Sequence, residues 1–114
     1  MSGFHVMMGR DTLIYAALCY GASGAIASCA NVAPRIAVDI YEKFMAGDAQ
    51  GALEAQFRLS ILRIATGMGT FPVALKEALK MIGYDCGDCV KPIQPLTPAD
   101  REKLRAALTE MGLL

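Results

Sequence analysis

The first 47 residues alternate short apolar runs with stretches of helical periodicity. The runs at residues 4–8 and 24–29 are nearly continuous, which is typical of strands buried on both faces in a parallel sheet. After each run, apolar residues recur at spacings of three and four, which predicts a helix. The two predicted apolar faces are Leu13, Ala16, Ala17 and Tyr20, and then Ala37, Ile40, Tyr41 and Phe44. The order strand, helix, strand, helix predicts two parallel strands joined by a crossover helix.

After Gly47 the strand patterns stop, and three helices are predicted. Asp48 is placed to cap the first of them, and Thr97 followed by Pro98 is placed to begin the last. Their expected buried faces, in helix order, are Leu53, Phe57, Ile61 and Ile64; Leu75, Ala78, Leu79 and Ile82; and Leu104, Ala107, Leu108 and Met111. Asp11 is likewise placed to cap the first helix of the chain. The pattern therefore predicts an α/β fold in a mostly helical chain.

Composition narrows the classes of function. Lys and Arg together number 11, as do Asp and Glu, so the formal net charge is zero. A neutral chain lacks the basic excess that binds nucleic-acid phosphates or an anionic membrane surface, so neither partner is expected. The hydrophobic fraction of 54% is high, and a chain of 114 residues buries a limited share of its surface. We therefore expect the chain to associate as a homo-oligomer.

No charged residue occurs between Asp11 and Arg35, a stretch long enough to test against a membrane span. Its glycine, serine, asparagine and proline residues divide it into two elements. The tetrapeptide at 26–29 mimics a lipoprotein cleavage site, but Asp11 abuts the apolar run that precedes it. We interpret the stretch as buried core rather than as a signal or a span.

Two parallel strands are too few for a sheet with buried edges, so the pattern indicates part of a larger sheet. Several motifs also occur in a specific order. They are GASGAIAS at 21–28, NVAP at 31–34, Gly47-Asp48, Pro72 with Lys76, Gly83-Tyr84, KPIQPL at 91–96, and the final Arg105, Leu108, Gly112, Leu113 and Leu114. Through these motifs nearly the whole chain resembles the dihydrodipicolinate synthase and N-acetylneuraminate lyase family.

The resemblance implies the last two strand–helix units of a TIM (β/α)8 barrel over residues 1–47 and a three-helix C-terminal extension over residues 48–114. It also implies class I aldolase or lyase chemistry on pyruvate or a related α-keto acid, in which a lysine forms a Schiff base. That lysine and a proton-relaying tyrosine are expected upstream of this chain. The chain itself is therefore expected to hold no catalytic residue, cofactor or metal and to be inactive alone. A cytoplasmic location is expected.

Two explanations for the length of the chain stay open, a truncation of a longer parent and a genuine short product. Met1 lies just before a predicted strand, where a barrel would be running mid-chain, which favours truncation. A second class of function also stays open: a small helical module with no enzymatic role, self-associating through its apolar surface.

Barrel enzymes build their sites at the C-terminal ends of their strands. In this chain those ends are Gly9, Arg10 and Asp11, and Ile26, Ala27 and Ser28. By resemblance, Gly9 and Asp11 are expected to contact the distal part of the substrate, and the backbone of the second end to lie beside the Schiff base. Arg10 either offers a cation to a second substrate carboxylate or is a solvated loop residue.

Other candidates have plainer interpretations. Cys86 and Cys89 form a C-x-x-C pair, but the remaining cysteines and His5 lie in the predicted strand–helix region, away from a zinc site built on this pair. We interpret the two residues as loop cysteines in a reducing compartment. His5 lies in an apolar run and is expected to be buried with its hydrogen bonds satisfied. Of the five lysines, all but Lys91 are expected on helices.

Overall fold

The structure is a computed structural model that describes residues 3–114. The chain is mostly helical, as predicted, and this range contains two short strands and five α-helices. In chain order they are β1 (Met7–Met8), a 3-10 turn (Asp11–Leu13), α1 (Ile14–Cys19), β2 (Gly24–Ala25), a second 3-10 turn (Ser28–Asn31), α2 (Pro34–Met45), α3 (Ala49–Ala65), α4 (Val73–Met81) and α5 (Pro98–Glu110). The residues form two compact units, one ending at Ser60 and the other spanning Ile61–Leu114.

The two strands are parallel, as predicted, with Met7 opposite Gly24 and Met8 opposite Ala25. They are much shorter than the apolar runs at 4–8 and 24–29. The expected burial on both faces is wrong for this chain, since Phe4 is 65% and Met7 46% exposed. Within residues 3–114 the sheet has only two strands, so its outer edges and much of its surface have no cover.

The first two helices bury only part of the faces predicted for them, with Ala17 and Ile40 buried as expected. In α1 the buried residues are Ile14, Ala17 and Leu18, and the predicted Tyr20 is almost fully exposed. In α2 they are Ile36 and Ile40, with the predicted Tyr41 exposed. Both helices carry more apolar residues than one face can hold, so spacing alone did not identify the buried face.

The predicted buried face differs most from the observed one in α3. Its fully buried residues include Ala52, Leu59 and Leu62, while the predicted face of Phe57, Ile61 and Ile64 is exposed to solvent. This helix has two apolar stripes, and the stripe with the small alanines is buried because small side chains permit close approach of neighbouring elements. In contrast, the predicted Leu104 and Leu108 of α5 are fully buried, and of the four residues predicted for α4, Leu75 and Ala78 are buried while Leu79 and Ile82 are half-buried.

The predicted starts of two helices are confirmed. The Asp48 Oδ1 atom accepts the backbone N–H of Gly51 at 2.9 Å, ahead of α3. The Thr97 Oγ1 atom accepts the N–H of Asp100 at 3.2 Å, and Pro98 occupies the first position of α5. Each bond satisfies a donor that the helix itself leaves without an acceptor.

Thr97→Ala should lower the free energy of unfolding by about 1 kcal/mol, because the Asp100 N–H loses its side-chain acceptor. Thr109→Ala, at the other end of the same helix, is the matched control, since its hydroxyl bonds only a preceding carbonyl in α5. Urea denaturation of both variants measures the difference. An equal loss in the two variants would contradict the capping role of Thr97.

The uncharged stretch between Asp11 and Arg35 forms α1, β2 and the second 3-10 turn. Ile14, Leu18 and Cys29 lie buried in it, as expected for core. Among the helices of residues 3–114, none has the length and apolar character that crossing a membrane requires.

Candidate functional site

The C-terminal ends of β1 and β2 lie side by side. The Met8 carbonyl accepts the N–H of Ile26 at 2.9 Å, which extends the parallel ladder one residue past β2. The segments that follow are Gly9 to Asp11 after β1 and Ile26 to Ser28 after β2. All five predicted site residues, Gly9, Asp11, Ile26, Ala27 and Ser28, are therefore on two neighbouring segments.

Asp11 ties these two segments together. Its side chain is buried, and its Oδ1 atom accepts the N–H of Cys29 at 2.7 Å. Its Oδ2 atom accepts the hydroxyl of Ser28 at 3.3 Å. The prediction that Asp11 caps its own helix is wrong, because the turn it begins has Arg10 as N-cap and takes no side-chain cap bond. The carboxylate instead lies at the start of the 3-10 turn Ser28–Asn31, where unsatisfied N–H groups favour a negative charge.

A second tether comes from Gln56 on α3. Its Nε2 atom donates to the backbone carbonyl of Asp11 at 2.8 Å, and its Oε1 atom accepts the N–H of Tyr15 at 2.8 Å. The side chain is only 4% exposed, so both bonds lie in a low-dielectric environment where they are hard to replace with water. Gln56 was not among the candidate residues predicted from the sequence. Its position as a polar residue on the same helix stripe as Ala52, Ala55 and Leu59 is the sequence feature that could have indicated it.

The surface of the site is open. Gly9 and Arg10 are exposed, Ile26 is 76% exposed, and Ala27 and Ser28 are half-buried. A Cβ atom added to Gly9 would meet nothing within 4 Å, so the space above this residue is free for another group. The site thus offers backbone groups and one guanidinium, which bind and orient carbonyl or carboxylate oxygens.

Within residues 3–114, no lysine lies in the short segments directly after β1 and β2. Lys43 is on α2, Lys76 and Lys80 are on α4, Lys103 is on α5 and Lys91 is in the loop between α4 and α5. All but Lys91 are therefore helical, as predicted. The prediction that His5 is buried is wrong, since it is exposed, with Nδ1 2.8 Å from the Ser23 hydroxyl. It lies beside β1, whose outer surface has no cover.

Cys86 and Cys89 lie in the irregular segment after α4, the first exposed and the second half-buried. Their thiols are free. Within residues 3–114, no three His, Cys, Asp or Glu side chains lie together in an arrangement that could hold a metal ion.

Comparisons with known proteins agree on one family. A model of the dihydrodipicolinate synthetase family matches residues 1–111. The 4-hydroxy-tetrahydrodipicolinate synthase of Methanothrix thermoacetophila is 36% identical over 109 residues, which cover 96% of this chain and 37% of that protein. The chain thus spans a little over a third of the length of this curated relative.

Solved structures give the same result. The dihydrodipicolinate synthase of Thermotoga maritima superposes with a TM-score of 0.92 at 32% identity, covering 99% of this chain and 38% of that one. A prophage protein of the dihydrodipicolinic acid synthase family from E. coli K12, solved in complex with pyruvate, has a TM-score of 0.85. At 24% identity, over 97% of this chain and 38% of that one, the second comparison supports the fold alone.

Proposed function

Because this chain belongs to the dihydrodipicolinate synthetase family, we propose that it supplies one wall of the substrate site of a Schiff-base-forming lyase. Residues 1–47 would form the last two strand–helix units of the (β/α)8 barrel, and residues 48–114 its helical extension. The observation that carries this proposal is the side-by-side placement of the two strand ends, tied together by Asp11. Barrel enzymes build their sites from such ends.

The uncovered surface of the first unit supports the barrel assignment. A groove of about 320 Å³ runs beside the strand pair and α2, with Met7, Ile14, Ala25, Val38 and Tyr41 in its lining. Its lining is apolar, and the parallel strand pair next to it has exposed edges. A further strand–helix unit of a barrel would cover such a groove and pair with such an edge.

Within the site, we assign Gly9 and the backbone of Ile26, Ala27 and Ser28 to direct substrate contact. Their exposure and the free space at Gly9 support this assignment. Asp11 is buried and bonded, so its contribution is to hold the turn at Ser28–Asn31 in position. Arg10 is exposed beside Gly9, where its guanidinium would pair with a second carboxylate of the substrate.

The substrate in this proposal is pyruvate or a related α-keto acid, as the resemblance to the dihydrodipicolinate synthetase family implies. A Schiff base requires a desolvated amine close to the substrate carbonyl. The five lysines of this chain lie on helices or in the loop after α4, and none is in the segments directly after β1 and β2. The chain therefore contributes binding surface, and the imine-forming lysine belongs to another part of the complete enzyme.

Incubation with pyruvate and sodium borohydride, followed by intact-mass measurement, tests this division of roles. Borohydride reduces an imine to a stable amine, so a lysine that forms one keeps the added mass. We expect no adduct on this chain under conditions in which the full-length Thermotoga maritima synthase reacts. An adduct on any of its five lysines would contradict the proposal and make the chain itself the imine-forming part.

A homo-oligomer and a cytoplasmic location belong to the same proposal. The exposed stripe of Phe57, Ile61 and Ile64 on α3 supports the first, because such a stripe is more stable when another surface covers it. None of Cys19, Cys29, Cys86 and Cys89 is in a disulfide, which is in keeping with a reducing compartment.

A further inference from the structure

A cleft of about 220 Å³ lies in the second unit, between α4, the loop that follows it and the first turns of α5. Four cationic side chains line it: Lys76 and Lys80 from α4, Lys91 from the loop and Arg101 from α5. Two carboxylates, Glu77 and Asp88, also line it. The lining therefore carries an excess of positive charge, although the whole chain is neutral.

Carboxylates neutralise these cations only in part, and Lys80 has its partner outside the lining, with its Nζ atom 3.9 Å from Asp85 Oδ2. Arg101 Nε lies 2.9 Å from Glu77 Oε1, an ion pair without the geometry of a hydrogen bond, so Glu77 partly offsets the charge of the guanidinium. Lys76 Nζ donates to the backbone carbonyl of Asp88 at 3.1 Å, and a carbonyl carries no formal charge to offset the ammonium. Lys91 forms no ion pair within the part of the chain that the structure describes. Donors on two helices and one loop thus remain available to a ligand.

The concave shape of the cleft strengthens the positive electrostatic potential inside it. Lys76 and Arg101 are half-buried, and the apolar Val73 and Ile93 form part of the wall. In a concave site with low-dielectric walls, charges of one sign raise the local concentration of counter-ions well above that at an exposed surface. A guanidinium with a free edge and two ammonium groups suit an oxyanion with several acceptor atoms.

We propose that this cleft binds a phosphoryl group, either as inorganic phosphate or as the phosphate of a small monoester. Lys76, Lys91 and Arg101 donate to the phosphoryl oxygens. Glu77 and Asp88 are placed to accept hydrogen bonds from hydroxyl groups of a monoester. The cleft is built entirely from residues 73–101 and uses none of the residues at the strand ends, so this inference does not depend on the proposed function.

Titration of the full chain with inorganic phosphate and with glycerol 3-phosphate, at constant ionic strength, tests the inference. Backbone amide shifts in a proton–nitrogen NMR spectrum report the location. We expect saturable shifts centred on Gly87, Asp88, Lys91 and Arg101. Tighter binding of glycerol 3-phosphate would support a monoester ligand, and equal binding would support phosphate itself. Shifts that do not saturate, or that are spread over the whole chain, would overturn the proposal.

Three substitutions sharpen the test. Lys91→Ala removes an exposed cleft cation and should weaken binding by about tenfold. Lys103→Ala removes the same charge from an exposed position on α5 outside the cleft lining, and should leave the affinity within about twofold. Asp88→Asn removes a negative charge that repels the phosphoryl group but keeps an oxygen that accepts a hydroxyl, and should tighten binding by a few-fold. Equal weakening by both lysine variants would show that net charge alone controls binding and would contradict the site.

Discussion

Leu62→Ala is expected to lower the free energy of unfolding by about 3–5 kcal/mol, whereas Ile61→Ala should change it by less than about 1 kcal/mol. The two residues are neighbours on α3, but Leu62 is fully buried and Ile61 is 53% exposed. Truncation of a buried leucine forfeits its burial and leaves a cavity. Truncation of a half-exposed isoleucine forfeits only part of its burial and opens no cavity.

Urea denaturation followed by circular dichroism measures both changes. Leucine and isoleucine lose the same number of carbon atoms on truncation to alanine, and both positions lie in one helix, so the pair is well matched. A larger loss for Ile61→Ala than for Leu62→Ala would mean that the stripe of Phe57, Ile61 and Ile64 is the packed face. That result would restore the interpretation from spacing and contradict the structure.

Asp11→Ala is expected to lower the free energy of unfolding by about 2–4 kcal/mol. The substitution leaves the buried N–H of Cys29 without the carboxylate that accepts it at 2.7 Å, and it removes the link between the two strand ends. An unsatisfied buried donor costs more than the net gain from an ordinary hydrogen bond, and bonds to charged groups are the stronger ones.

Two controls accompany this prediction. Asp88→Ala removes a carboxylate from an exposed position and should change the free energy of unfolding by less than about 0.5 kcal/mol. Ser28→Ala removes only the 3.3 Å hydrogen bond from its hydroxyl to Asp11 Oδ2, and should cost about 1 kcal/mol or less. If Asp11→Ala were as mild as Asp88→Ala, the tether between the segments would not be a stabilising element.

The parts of the fold that sequence analysis predicted well depend on residues close together in the chain. Thr97 bonds Asp100 and Asp48 bonds Gly51, each three residues away, so the cap and its partner are visible in one short window. The buried Leu104 and Leu108 lie on a helix with only one apolar stripe. The C-terminal end of β1 was also predicted, because an apolar run that stops at Gly9 marks its own end.

The sequence predicted the two segments of the candidate site, but not the hydrogen bonds that hold them together. The bond from Gln56 to Asp11 joins residues separated by 45 positions, and no local pattern indicates such a partner. The capping preference of Asp11 was recognised, yet its carboxylate lies at a turn that is remote in sequence. A capping residue accepts from whichever N–H group the fold places next to it.

Sequence by itself determined the element order, the helix starts at Asp48 and Thr97, and the two segments at the strand ends, since all of these follow from interactions within a few residues. Tertiary structure alone decided which stripe of α3 is buried, where the Asp11 carboxylate bonds and that Lys76, Lys91 and Arg101 meet in one cleft. Burial and charge clustering depend on contacts between segments that are distant in the sequence, and the spacing of residues within one segment does not indicate those contacts.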